Sequence, residues 1–406
     1  MISLTADDSG VGLVETRKPP CPNILYVATT RHYGGLELAS IRLADLLMRT
    51  QPDCQRILFA CRPGQHVERE CREMGIPTVP LTVRNSGDLG GVGKLMQIVR
   101  EQDIDIVHVH SRRDYVTAVL AKYRLRAQLG SDCAPKLLLH MHLLRALGSP
   151  ALLSGYFFAP NVDRFLAVSG AVRDYLLSHH RQLTPDQVVV VPNSVDVDQF
   201  RLDADRGAAV RRVHGIPLSA IVIGMVGRLD TKGQREAIEA LGYLKRPDVY
   251  LMLIGSAGRN RYPEMLKRRA KRLGIGDNII FCGAQQDVAP YLSAMDIFVH
   301  LPRDEAFGLA PAEAMAAGLP VLVSNVGGCV ELVEDGLTGL VAKPRDRSDI
   351  RDKILQLVDS PSLRARLADA GGEFVRRRFS TQAQATLLTE LYAQVMEYPA
   401  CAQQQA

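Results

Sequence analysis

Tryptophan is missing from this sequence of 406 residues, and aromatic residues as a class make up only 5% of it. Because indole rings commonly provide the flat surfaces on which sugar rings stack, this composition argues against a carbohydrate-binding module. Long apolar runs are also missing, since no stretch approaches the roughly 18 apolar residues of a membrane-spanning helix. Residues 1–20 carry Asp7, Asp8 and Glu15 without an apolar segment, so we expect a disordered tail there and no secretory signal.

A strong excess of either charge is lacking as well. The 49 basic and 44 acidic residues leave a net charge of +5, which is too small to indicate nucleic-acid binding but suits an anionic ligand or membrane surface. No two cysteines are spaced as CxxC, and several, such as Cys61 and Cys282, lie in apolar runs. We therefore expect buried free thiols in a reducing cytoplasm.

Short apolar runs rich in Val, Ile and Leu alternate with longer helical patterns. In the first half of the chain these runs predict strands at Asn23–Thr29, Arg56–Cys61, Thr78–Val83, Asp105–His110, Lys136–His142, Arg164–Ser169 and Val188–Asn193. In the second half they predict strands at Ile221–Val226, Tyr250–Ile254, Asn278–Cys282, Asp296–His300 and Pro320–Ser324. Continuous apolar strands between helices are typical of parallel sheets covered on both faces.

The strand pattern restarts after a polar stretch, Asn193–Arg212, which we interpret as a linker. We therefore predict an α/β protein with two doubly wound, Rossmann-like domains over residues 21–197 and 198–380, followed by a last helix over residues 381–398. In such sheets ligands bind at the carboxyl ends of the strands, so the site is expected in the cleft between the two domains.

Two cations flank a sharp turn after the first strand of the second domain. The turn reads Gly227-Arg228-Leu229-Asp230-Thr231-Lys232-Gly233 and opens a helix. An arginine fork, a lysine point charge and free helix N–H groups suit a diphosphate, although a solvated turn could use the same residues. Walker A and dinucleotide motifs both fail on spacing in this chain.

The pair Gly34-Gly35 lies where the first strand of the first domain turns into a helix. Missing side chains let the backbone approach an anion closely. Any tight turn can use glycine. If the Gly34-Gly35 pair faces Arg228 and Lys232 across the cleft, it would bind the same phosphate from the opposite side, as a second clamp.

Two carboxylates follow a strand of the second domain. Glu305 is expected in the loop before the next helix and Glu313 in the first turn of that helix. Glu313 can accept two ribose hydroxyls and Glu305 can accept hydroxyls of a hexose, although a glutamate at a helix start can also simply complement the helix dipole. The intervening backbone amides can meet further hydroxyls or the phosphate, and they belong to Phe307, Gly308 and Leu309.

These motifs together resemble the retaining glycosyltransferase family 4, whose fold is GT-B. The matching pieces are Gly34-Gly35-Leu36-Glu37, Val168-Ser169, Pro192-Asn193-Ser194-Val195-Asp196, Gly227-Arg228 with Lys232-Gly233, and Glu305-x7-Glu313 with Phe307-Gly308. They occur in the family's order from about residue 23 to residue 397. The departures are small: Ala306 stands where glycine is usual, and Ala310 and Ala312 replace larger apolar residues.

The resemblance implies a metal-independent glycosyltransferase without a cofactor, which takes a nucleotide-diphosphate sugar such as a UDP-sugar. It implies that Arg228 and Lys232 hold the diphosphate at Gly227, that Glu313 holds the ribose and that Glu305 holds the transferred sugar. It also implies that the last helix crosses back to the first domain. The base would meet backbone close to Gln285 and Gln286.

The resemblance also singles out a histidine of the first domain. His142 matches the family's donor-sugar histidine, although a histidine at the end of a strand is often structural. His110 and His140 are expected in the core or behind the site. A His-x-His pattern could hold a metal, but without an Asp-x-Asp motif we expect none.

The acceptor should lie on the first domain. Arg112 and Arg113 follow a strand of that domain and could meet a phosphate-bearing or lipid-linked acceptor, although a solvated helix face would look the same. Residues 143–160 could form a membrane-dipping loop or core. The habits of the family point to saccharide or lipid-linked acceptors in envelope polysaccharide or lipopolysaccharide synthesis, in the cytoplasm or on the inner face of the plasma membrane.

Two other classes of function remain open. A GT-B sugar-nucleotide epimerase would convert its donor without an acceptor, and a phosphorylase of this fold would carry a pyridoxal-phosphate lysine. A non-catalytic partner protein could keep the fold without the reaction, but Arg228, Lys232, Glu305 and Glu313 are all present.

Overall fold

The computed structural model describes residues 22–30, 35–50, 56–131, 133–144, 156–258 and 261–397. The predicted tail at residues 1–20, Gly34 and most of the predicted loop at residues 143–160 lie outside these ranges.

The first domain is built on a parallel sheet whose strands follow the predicted apolar runs. The strands are β1 (Asn23–Ala28), β2 (Arg56–Cys61), β3 (Thr78–Pro80), β4 (Ile106–Val109), β5 (Lys136–Met141), β6 (Arg164–Ala167) and β7 (Val188–Val190). Their order in the sheet is β3-β2-β1-β4-β5-β6-β7. β7 ends before the predicted Asn193, because Pro192 has no N–H with which to continue the ladder.

The second domain contains another parallel sheet. Its strands are β8 (Ile221–Val226), β9 (Val249–Ile254), β10 (Ile279–Gly283), β11 (Ile297–His300), β12 (Val321–Ser324) and β13 (Leu340–Ala342), in the order β10-β9-β8-β11-β12-β13. The strand order reverses direction between β8 and β11, which is the switch point where doubly wound sheets bind ligands. β13 was not predicted, because a strand of three residues is too short to show a pattern.

Helices cover both faces of each sheet. Their bounds are Gly35–Thr50, His66–Glu73, Leu89–Glu101, Arg112–Leu129, Gly170–His179, Ala204–Val213, Gln234–Leu244, Tyr262–Arg272, Ala289–Ser293, Leu309–Ala316, Cys329–Leu332, Arg347–Asp359, Pro361–Phe379 and Thr381–Glu397. Among the described residues, none of these helices has the length and apolar character needed to cross a bilayer.

The predicted linker is wrong in its second half, where the helix Ala204–Val213 forms. Asp203 caps this helix by accepting hydrogen bonds from the backbone N–H groups of Asp205 and Arg206. A Cβ at Gly207 would lie 2.2 Å from the carbonyl oxygen of Ser293, so the helix packs directly on the second domain. The charged residues of this stretch therefore belong to a capped surface helix of the second domain. The connection between the two domains is shorter than predicted.

The last helix, Thr381–Glu397, crosses back to the first domain as the resemblance implies. Its Tyr392 is fully buried, and the Tyr392 hydroxyl lies 2.9 Å from the hydroxyl of Tyr26 in β1 and 2.7 Å from Nδ1 of His108 in β4. Before this helix, Val195 and Ser380 form a parallel bridge, so the two chain crossings between the domains lie side by side.

Candidate functional site

The turn after β8 has the backbone form that a phosphate-binding turn requires. Gly227 has a φ of 133°, and a Cβ there would lie 2.9 Å from Cγ of Lys232. A Cβ at Gly255, at the end of β9, would lie 2.0 Å from the carbonyl oxygen of Gly227. The turn is thus pressed against the neighbouring strand end, and only glycines fit at both positions.

Arg228 projects from this turn with 57% of its side chain exposed. Its Nε donates a hydrogen bond of 2.7 Å to the carboxylate of Asp230, of which only 3% is exposed. Asp230 therefore orients the guanidinium and leaves its terminal N–H groups toward solvent. This role of Asp230 was not predicted, although the residue stands inside the motif.

Lys232 and Glu305 meet in the structure although they are 73 residues apart in the chain. The Nζ of Lys232 donates to Oε2 of Glu305 at 2.6 Å, and Nε2 of His300 donates to the same oxygen at 2.8 Å. Because β8 and β11 are neighbours, the residues that follow them share one edge of the sheet. The predicted phosphate and sugar residues therefore form one connected cluster.

The electrostatics of this cluster keep Glu305 ionised. Burial alone would raise the pKa of Glu305, but the hydrogen bond and charge of His300 and the charge of Lys232 lower it to about 2. Burial lowers the pKa of His300, and its bond to Glu305 opposes that shift only in part. At neutral pH the cluster thus holds an anionic carboxylate between a cationic lysine and a neutral imidazole. His300 was not predicted as a site residue, although it ends β11.

Residues 301–308 form the loop that carries Glu305, the Glu305 loop. The helix after this loop begins earlier than the sequence predicts. Gly308 adopts a φ of 103° at the N-cap, and the helix runs from Leu309 to Ala316. Glu313 therefore lies in the second turn and not in the predicted first turn, since the left-handed glycine completes the reversal before Pro311. The side chain of Phe307 is 3% exposed and packs edge-on against Phe379, so only its backbone remains available for a ligand.

A cavity of about 660 Å³ lies between the domains and is lined by both. Glu313 and Leu309 face it from the second domain, together with Gln285 and Gln286 after β10, and Arg42 faces it from the first. Burial raises the pKa of Glu313 to about 7, and the charge of Arg42 opposes this shift. The predicted ribose and base residues therefore share one cavity. Gly35, predicted as part of a second phosphate clamp, begins the helix that carries Arg42.

His142 follows the end of β5 and belongs to a stack of histidines. Its ring centroid lies 4.3 Å from that of His140 and 5.8 Å from that of His110. Burial, and then the charges of these two neighbours, hold the pKa of His142 well below its usual range, while the Asn193 side chain opposes the shift. His142 is thus neutral at physiological pH. His110 and His140 are themselves buried, at 5% and 1% exposure.

The same stack contains the described side chains that could hold a metal ion. Ligand atoms of His108, His110 and His140 lie within 4.8 Å of one another. The Nδ1 atom of His108 is hydrogen-bonded to Tyr392, and Nε2 of His140 lies 3.3 Å from the carbonyl oxygen of Val191. All three histidines are buried, and His108 contacts the last helix through Tyr392.

Arg112 and Arg113 begin the helix after β4, and both are exposed. Asp114 next to them is buried and accepts hydrogen bonds from the backbone N–H of Thr29 at 2.8 Å and from its hydroxyl at 2.5 Å. This contact fixes the start of the helix against the end of β1. Arg62, after β2, was not singled out from the sequence and donates to the carbonyl oxygen of Val83 at 2.9 Å.

Comparison with known proteins agrees with this architecture. The family described as Glycosyltransferase Family 4 matches residues 33–199, and Glycosyl transferases group 1 matches residues 208–374. A D-inositol 3-phosphate glycosyltransferase of Corynebacterium aurimucosum is 33% identical over 91% of this chain and 93% of its own. An N-acetyl-alpha-D-glucosaminyl L-malate synthase of Bacillus anthracis is 24% identical over 76% of this chain and 80% of its own.

Solved structures share the fold at low identity. Anabaena Alr3699/HepE in complex with UDP and glucose superimposes with a TM-score of 0.78 at 22% identity, covering 92% of this chain and 99% of its own. A glycosyltransferase from Rickettsia africae gives a TM-score of 0.82 at 21% identity, covering 93% and 99%. With two facing Rossmann-like domains and these relatives, the chain belongs to glycosyltransferase family 4 and is a glycosyltransferase of GT-B fold.

Proposed function

We propose that this glycosyltransferase moves a sugar from a nucleotide-diphosphate donor, a UDP-sugar, to an acceptor hydroxyl with retention of anomeric configuration and without a metal. The observation that carries the proposal is the contact of Lys232 with Glu305 beside the interdomain cavity. The contact supports the proposal because a cation suited to the leaving diphosphate lies next to a carboxylate suited to the hydroxyls of the sugar.

Each donor group has a matching residue. Arg228, held by Asp230, and Lys232 bind the diphosphate, and Glu313 accepts the ribose hydroxyls. Backbone near Gln285 and Gln286 meets the base. The amides of Phe307, Gly308 and Leu309 meet hydroxyls or phosphate. The Gly34-Gly35 pair keeps its predicted role as a second clamp on the phosphate. The Anabaena structure is described with UDP and glucose, which supports UDP as the first nucleotide to test.

The chemistry follows from the charge on the leaving group. The donor's glycosidic C–O bond breaks as the diphosphate gains charge, so Arg228 and Lys232 stabilise the transition state more than the ground state. Glu305 is held by two donors on one oxygen and serves as a hydroxyl acceptor. We therefore propose attack on the same face of an oxocarbenium-like sugar, with the departing phosphate taking the acceptor proton. Neutral His142 contacts the sugar.

The acceptor proposed first is a small anionic molecule. The names of two relatives contain D-inositol 3-phosphate and L-malate, which both carry negative charge. The exposed Arg112 and Arg113 at the carboxyl edge of the first sheet supply complementary charge. The lipid-linked saccharide of envelope synthesis and a contact with anionic membrane remain the alternative on the acceptor side.

A coupled assay tests the proposal. UDP-, GDP- and ADP-sugars are first compared by thermal shift, since a ligand that binds only the folded state raises its stability. Release of the nucleotide is then measured with D-inositol 3-phosphate, with L-malate and with membrane lipid extract, and the anomer of the product is read by NMR. Donor conversion without any acceptor would indicate an epimerase, dependence on orthophosphate would indicate a phosphorylase, and binding without turnover would indicate a non-catalytic partner.

A further inference from the structure

Glu331 connects the two domains at a place that the predicted donor contacts do not include. Its carboxylate accepts hydrogen bonds from the backbone N–H of Gly170 at 2.8 Å and of Ala171 at 2.9 Å. Glu331 belongs to the second domain and lies in the short helix Cys329–Leu332 after β12. Gly170 and Ala171 begin the helix Gly170–His179 of the first domain.

These two N–H groups need an acceptor from outside their own helix. The first-turn amides of a helix have no partner within it, and the N-cap Ser169 already accepts from Val172. A carboxylate with one oxygen on each amide is a well-matched partner for the positive end of the helix. A Cβ at Gly170 would lie 3.3 Å from Oε1 of Glu331, so the glycine allows the carboxylate to approach.

The segment that carries Glu331 is packed without clearance against the Glu305 loop. The N–H of Gly328 donates to the carbonyl oxygen of Glu305 at 2.9 Å. A Cβ at Gly327 would lie 2.0 Å from that oxygen, and a Cβ at Gly328 would lie 2.4 Å from the carbonyl oxygen of Ala306. Gly327 also has a φ of 46°, in the left-handed region. The Glu305 loop and the Glu331 segment must therefore move together.

The same segment touches the first domain next to His142. A Cβ at Gly327 would also lie 3.4 Å from Cδ1 of Leu144, two residues after His142. The chain crossings at Val195 and Ser380 lie instead beside the cavity that holds Glu313. The two chain crossings thus join the domains beside the cavity. The hydrogen bonds of Glu331 join them at the end of the site that contains Glu305 and His142, the sugar end.

We infer that Glu331 is a positioning residue for sugar transfer, which couples closure of the two domains to the placement of Glu305 against the donor sugar. When the domains separate, the two amides lose their acceptor and the Glu305 loop loses its support from the first domain. When they close, the carboxylate returns and the loop is held. This inference rests on the proposed function, because it concerns the donor sugar, but the contact itself can be tested by nucleotide binding alone.

Two variants on opposite sides of the contact test it. Glu331→Ala removes the acceptor. Gly170→Pro removes one donor at the first helical position, where proline is well tolerated and where the preceding Ser169 is already extended. Glu334→Gln, at an exposed glutamate three residues after Glu331, is the matched control for loss of charge.

We expect each variant to lower kcat roughly tenfold while the Kd for UDP changes less than about threefold, because the nucleotide contacts lie at the other end of the site. The double variant should be no slower than the slower single variant, since both remove one interaction. Small-angle scattering with UDP should show a larger radius of gyration for both variants than for the wild type and the Glu334→Gln control.

The results separate this inference from the proposed function. If the wild-type protein transfers sugar from none of the donors, the proposed function is refuted. The radius of gyration of the wild type and the two variants with UDP would still show whether the Glu331 contact holds the domains closed. Wild-type transfer with unchanged kcat and unchanged compaction in both variants would overturn the role of Glu331. A loss of UDP affinity as large as the loss of kcat would also overturn it, since that pattern indicates a general structural defect.

Discussion

Replacing Lys232 by alanine removes the cation on which the proposed chemistry depends most. The Lys232 side chain is 25% exposed and contacts the carboxylate of Glu305, of which 15% is exposed, at 2.6 Å. The variant keeps the turn, because Gly227 and Gly233 set the backbone and the side chain fills no core position. It leaves Glu305 with His300 as its remaining partner in the cluster.

The magnitude follows from the role of the ammonium group. Loss of one donor that stabilises a developing anion costs about 10² to 10³ in kcat, or about 2.7–4 kcal/mol. The donor KM should change less, because the charge on the diphosphate is greatest in the transition state. Without Lys232 the pKa of Glu305 should also rise, since the lysine charge and hydrogen bond both lower it. The acidic limb of the pH–rate profile should therefore move to higher pH.

Steady-state kinetics over a range of pH measure both effects, with the exposed Lys271→Ala as a control for loss of a positive charge elsewhere. Thermal unfolding of the same preparations separates an inactive site from an unfolded protein. Turnover by Lys232→Ala within about threefold of the wild type would refute the assignment of Lys232 to the leaving group.

Individual contacts lead to further predictions for three variants. The melting temperature of Glu313→Gln minus that of the wild type should increase as pH rises from about 5 to 8. Burial raises the pKa of Glu313 to about 7, so the wild type loses stability as this carboxyl ionises, whereas the glutamine variant does not. The same variant should bind the nucleotide more weakly in titration calorimetry, and a flat difference in melting temperature would contradict the burial argument. His300→Phe should shift the acidic limb of the pH–rate profile upward, because the hydrogen bond that lowers the pKa of Glu305 is lost, and an unshifted limb would contradict it. Gly233→Ala should lower the free energy of unfolding, measured in urea, by more than about 2 kcal/mol. Gly233 has a φ of 80°, and the new Cβ would lie 2.1 Å from the carbonyl oxygen of Leu301. Wild-type stability of this variant would show that the turn adapts.

Much of the fold could be predicted because each buried parallel strand is a continuous apolar run. β2 and β8 match their predicted bounds. Lys232 and Glu305 both follow strands of the second sheet, and they meet at one edge of that sheet, as the sequence predicts. The short strand Leu340–Ala342 has no such run, since three residues show neither alternation nor length.

Other features depend on distances that no local pattern contains. Whether Glu313 lies in the first or second helical turn depends on where Gly308 takes its left-handed conformation. The bond from His300 to Glu305 and the bonds from Glu331 to Gly170 each require a loop to fold back, in the second case across 161 residues. Such hydrogen-bond partners are determined by tertiary packing. The sequence therefore shows which residues are candidates for the site but not which of them contact one another.

The most direct test of the central claim is the rate of UDP release from a UDP-sugar by the wild-type protein and by Lys232→Ala, each with and without an acceptor. The proposed function predicts that the wild-type protein releases UDP in an acceptor-dependent reaction whose product keeps the donor's anomeric configuration. It also predicts that Lys232→Ala loses about two orders of magnitude of this rate. An inverted product, or equal rates in the two proteins, would contradict the claim that Lys232 and Glu305 form the centre of a retaining transferase.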